Sequence, residues 1–132
     1  MLETALVLTA IVAMIIFVLD MGRFLLIQQW VGERARATAR TASVNNWTST
    51  QVANYLVYNN TTAPTGGGAG YLGLKTTQVT FAFLGAAGTP DYRLQVKVTG
   101  VPVLTWIPYM AGSYNLAPIV ATMPAESLGA TN

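Results

Sequence analysis

The side chains able to do chemistry are few and scattered. The acids are Glu3, Asp20, Glu33, Asp91 and Glu126, and the chain has no histidine and no cysteine. General acid–base work lacks its commonest participant, and thiol nucleophiles, disulfides and Cys/His metal sites are ruled out. Serine and threonine are plentiful, but none lies in a nucleophile-elbow pattern. Gly66-Gly67-Gly68-Ala69-Gly70 lacks the Gly-Lys-Ser/Thr ending of a phosphate loop and reads as a flexible linker. The pattern predicts a protein that is not an enzyme and carries no cofactor or metal.

Charge becomes informative near the N-terminus. Glu3 opens an apolar run, and Thr4 to Leu19 carries no charge. At about 1.5 Å per residue that stretch makes roughly 24 Å of helix, short of the ~30 Å hydrocarbon core. Adding Phe24 to Ile27 exceeds a membrane thickness but takes in Asp20 and Arg23. These two stand at i and i+3 on one helix face, where they can neutralise each other or bridge neighbouring helices. Such a pair is tolerable where other helices surround it. Glu3 has two readings: a carboxylate stabilised by its own helix dipole, or the partner of the α-amino group of an adjacent subunit.

Composition points the same way. Only 9% of residues are charged and 52% are hydrophobic, so the chain buries surface in lipid or against copies of itself. A net charge of +2 gives no case for nucleic acid. Arg34, Arg36 and Arg40 lie just beyond the apolar helix. They suit either a cytoplasmic membrane edge or an interior charge network in a filament. No basic n-region precedes the apolar run, so a leader cleaved before Met1 and an initiator methionine on a signal-anchor are both open.

The remaining chain supplies the elements that must carry that helix. Glu33, Arg36 and Arg40 share one helical face, and Ala35, Ala39 and Ala42 form a second face of small side chains. Gly22 and Gly32 fit close approach between helices, or bends. Asn45 and Asn46 break the helix. Thr48 with Gln51 has capping-box spacing, and a second helix runs to about Tyr58, burying Val52, Tyr55 and Leu56. Asn59 to Gly70 is an exposed loop.

From Gln78 the hydrophobic period becomes two. Val79, Phe81 and Phe83, then Leu94, Val96 and Val98, predict a hairpin whose apolar face lies on the helix spanning about residues 34–44. Arg93, Gln95 and Lys97 then face outward. Val101 to Gly112 reads as a crossover packed by Val103, Leu104, Trp106 and Ile107, with Pro102 and Pro108 opposing a strand. Leu116 to Met123 is the third strand. The expected fold is α+β: a long N-terminal hydrophobic helix, and a small head made of a second helix and a three-stranded antiparallel sheet. Residues 1–31 form the hydrophobic helix and residues 32–132 the head.

The tryptophans Trp30, Trp47 and Trp106 and the tyrosines could line a sugar-binding surface, but core packing and subunit contacts are the simpler use. Asn46, Asn59 and Asn60 head Asn-X-Ser/Thr sequons and are the possible glycosylation sites.

Taken together, Leu2-Glu3-Thr4-Ala5-Leu6-Val7-Leu8, Asp20-Met21-Gly22-Arg23, the Ala/Arg-rich Glu33 to Ala42 and the three strands resemble a TadE-like pilin of the tight-adherence branch of type IV pilus systems. The resemblance implies a leader removed by a prepilin peptidase, residence in the inner membrane, and extraction by the pilus assembly machinery into an extracellular filament of identical subunits. Glu3 would match the family's near-N-terminal glutamate, although that residue usually stands at position five. Subunit contacts would then fall on Glu3, Leu6, Ile11, Ile15, Phe17, Leu19, Asp20 and Arg23. A minor pseudopilin, or a single-pass inner-membrane component of a pilus or secretion machine, is the alternative.

Overall fold

The structure is a computed structural model that describes residues 2–68, 70–86, 89–104 and 113–125. Helix α1 spans Leu2–Asn45 without interruption, 44 residues or roughly 66 Å. It runs straight through Gly22 and Gly32, so neither glycine ends it. The helix stops where the sequence turns to Asn45 and Asn46, and Asn46 takes a left-handed conformation (φ 48°) that asparagine tolerates better than most residues.

Helix α2 spans Ser49–Tyr58. At its start, the Thr48 hydroxyl accepts from the Gln51 backbone N–H and the Gln51 side chain accepts from the Thr48 N–H, a reciprocal capping box. At its end Asn59 adopts the left-handed conformation, and its N–H donates to the Tyr55 carbonyl at 2.9 Å. Both termini thus satisfy backbone groups that the helix itself cannot. Val52 and Leu56 are buried, whereas Tyr55 is half-buried and meets Trp47 at 4.8 Å between ring centroids.

Strands β1 (Val79–Leu84), β2 (Arg93–Val98) and β5 (Ile119–Pro124) form an antiparallel sheet in the order β1-β2-β5. Its register aligns Phe83 with Leu94 and Met123, Phe81 with Val96 and Ala121, and Val79 with Val98 and Ile119. These residues occupy one face, which the helices cover except at Phe83. Thr80, Arg93, Val120 and Thr122 are exposed on the other, the usual division of a one-sided antiparallel sheet.

The helices divide the sheet between them. The second half of α1 lies on β5 and β2, and α2 lies on β1. The expectation that β1 would also pack on residues 34–44 is therefore corrected. The sheet is too wide for one helix, and α2 folds back to cover β1. Val31, Ala35, Ala39 and Ala42 form the buried stripe of α1, facing a core of Leu94, Val96, Val98 and Ala121. The alanines let helix and sheet approach closely, and a Cβ on Gly32 would already touch Ile119 at 3.9 Å.

Phe83 departs from its expected core position. It is 47% exposed, because it stands near the turn end of the hairpin. There it stacks on Tyr92 (5.3 Å, 8°) and meets Phe81 edge-on (5.1 Å, 80°). The segment read as a crossover holds a second, two-stranded sheet of β3 (Pro102–Leu104) and β4 (Ser113–Asn115). Pro102 fits because it stands first in a short strand. Trp106, Ile107 and Pro108 lie outside the described residues, as do Met1 and Glu126.

Candidate functional site

Among the described residues, the first half of α1, before Phe24, contributes nothing to the core of the head. An 18-residue window of this helix is apolar and long enough to cross a membrane, and none of it is buried within the protein. Leu6, Ile11, Ile15, Phe17 and Leu19 are 68, 51, 54, 49 and 67% exposed. Glu3 is exposed in the first turn, where its charge suits the positive end of the helix dipole. Packing against the core begins with partial burial of Phe24 and Ile27 and becomes complete at Val31.

Leu6, Val7 and Leu8, like Ile11, Val12, Met14 and Ile15, are exposed on successive sides of the helix. Such a helix is greasy all round, not amphipathic. That pattern fits immersion in lipid or enclosure by other helices, and does not fit lying flat at an interface. A fully buried side chain of this size gains about 1.5–3 kcal/mol over an exposed one. More than a dozen or so such residues in water would be untenable, so this surface demands cover.

Asp20 and Arg23 stand one turn apart on α1. With Ile16 and Leu19 they line a groove on α1, and neither is free of partners. A second, wholly apolar groove beside it is lined by Ile11, Met14, Ile15, Val18 and Leu19. The arginines beyond the apolar stretch separate into different roles. Arg36 pairs with Glu33 at 2.9 Å, but both side chains are well exposed, so this bond adds little. Arg40 is exposed. Arg34 turns inward: its Nε donates to the Leu56 carbonyl at 2.6 Å, and its guanidinium carbon sits 4.4 Å from the centre of the Tyr71 ring.

Arg34 also lines an open cleft of about 740 Å³ between α1, the end of α2 and the following loop. Sequence reasoning assigned Arg34 only to a charge cluster. Its partners lie far along the chain, beyond any periodic signal. The three sequon asparagines are all exposed. Asn60 Oδ1 accepts from the Thr62 N–H at 3.2 Å, a local turn. Among the described residues no three metal-ligating side chains converge.

No family model, curated protein or solved structure matches the chain.

Proposed function

We propose that the chain is a structural pilin subunit whose N-terminal helix packs among copies of itself in the core of an extracellular type IV-like filament. The observation that carries this reading is the exposed, all-round apolar first part of α1, which continues as one helix into a folded head. Lipid covers such a helix before assembly, and neighbouring helices cover it afterwards. The Asp20/Arg23 pair favours the filament as the final setting. A charged pair costs less among helices that can supply polar contacts than in hydrocarbon. In this reading prepilin peptidase and the pilus assembly machinery act on the chain in the inner membrane.

A single-pass inner-membrane component, or a minor pseudopilin, is the second reading. It is favoured by Arg34, Arg36 and Arg40 just past the apolar stretch, where anchors carry their basic flank.

Thiol cross-linking separates the two. Because the chain has no cysteine, a double variant carrying both Leu6→Cys and Leu19→Cys has only the two introduced thiols, enough to link each chain to two neighbours. Filament packing predicts a ladder of cross-linked multimers in material sheared from cells. Protein confined to the membrane fraction, with no ladder beyond a dimer, would count for the anchor.

A further inference from the structure

We propose that the cleft around Arg34 binds a carboxylate-bearing sugar of the uronic-acid class. Arg34 reaches it from α1, Tyr58 and Asn59 from the end of α2, and Asn60, Thr62 and Tyr71 from the loop that follows. Its volume of about 740 Å³ lies within the range of small-molecule sites and far exceeds what an inorganic anion fills.

The charge in this cleft is fixed and one-sided. Arg34 Nε is occupied by the Leu56 carbonyl, and its guanidinium carbon lies over the Tyr71 ring. What remains is the end-on fork of the two terminal amino groups, which matches the two oxygens of a carboxylate. Among the described residues Arg34 has no acidic partner, and no acid lines the cleft. An anion therefore meets a preset donor with no competing carboxylate.

The rest of the lining selects what carries that carboxylate. Asn59, Asn60 and Thr62 offer neutral donors and acceptors suited to hydroxyl groups. Tyr58 offers a flat apolar face with a polar tip, against which the C–H face of a sugar ring can lie, while the Tyr71 ring carries the Arg34 guanidinium. The backbone beside the cleft is tightly set as well. A side chain at Gly70 would collide with the Leu74 carbonyl and with Val57, a wall residue.

All of these groups belong to one chain's head, so the test uses the full chain in detergent micelles and is independent of filament formation. Glucuronate is titrated against glucose, acetate and inorganic phosphate, following backbone amide NMR shifts. Saturable shifts at Asn59, Asn60, Thr62 and Tyr71 are expected with glucuronate, and at least about tenfold weaker binding with the other three probes. Arg34→Lys keeps a cation able to reach Leu56 but loses the fork. It should weaken glucuronate about tenfold while thermal melting shows a folded head. Should that variant not fold, Tyr58→Leu serves, with the same direction expected. The proposal is overturned by an absence of shifts up to about 10 mM glucuronate, by phosphate or acetate binding as tightly, or by folded variants binding as the parent does.

Discussion

Arg34 and Leu56 are joined by a side-chain-to-backbone bond of 2.6 Å that ties the long helix to the short one. Leu56 lies in the last turn of α2, where carbonyls lack helical partners and carry the negative end of the dipole. The bond therefore caps α2 from another element. It also holds α2 over β1, which α1 alone leaves uncovered.

Arg34→Ala removes this bond and the contact with Tyr71. A hydrogen bond from a charged group contributes about 1.5–3 kcal/mol, and the ring contact adds about 0.5–1 kcal/mol. Thermal denaturation in detergent should show a head destabilised by roughly 2–3 kcal/mol. Arg40→Ala, at an exposed position of the same helix, should leave the melting temperature nearly unchanged.

The alanine stripe sets the distance between α1 and the sheet. Ala35 and Ala39 are wholly buried, whereas Ala37 is exposed. Ala39→Leu should cost about 1–3 kcal/mol through overpacking. Ala37→Leu should be close to neutral in the unassembled chain. Equal effects at the two positions, measured by denaturant titration of the head, would show that the stripe has been misplaced.

Thr38 is buried, and among the described residues its hydroxyl has no hydrogen-bond partner. A hydroxyl left in this state costs about 1–3 kcal/mol, and valine has nearly the same shape. Thr38→Val should raise the stability of the head, read as a higher melting temperature. A fall would reveal a partner for that oxygen.

Much of this architecture is legible in the sequence because it rests on short-range rules. Thr48 and Gln51 announce the start of α2, Asn45 and Asn46 the end of α1. The period-two runs of Val79–Phe83 and Leu94–Val98 give both the hairpin and its buried face. Other features depend on distant partners. Strands β3 and β4 are each three residues long, too short for a period, and β3 begins with a proline that argues against a strand. Phe83 obeys the alternation yet is half exposed, because periodicity gives a face and does not say how far its cover extends. Arg34 reads locally as one of three basic residues, and only the fold directs it to Leu56 and Tyr71.

Glu3 is the residue through which the filament reading is most exposed to error. Glu3→Ala should leave membrane insertion intact, since it removes a charge from an apolar helix. Assembly should fail if Glu3 pairs with an adjacent subunit in a water-poor core, because the partner charge is then left buried and unpaired. Membrane fractionation and the yield of sheared fibres check the two halves separately. Normal fibre yield would remove Glu3 from the assembly mechanism.

Electron cryo-microscopy of material sheared from cells expressing the intact chain tests the central claim most directly. Helical filaments are predicted, with the Leu2–Trp30 part of α1 bundled along the axis and the sheet-bearing heads outside. Leu6, Ile11, Ile15, Phe17 and Leu19 should be buried between subunits. Sheared material without filaments of this chain, or filaments in which α1 lies on the outer surface, would contradict it.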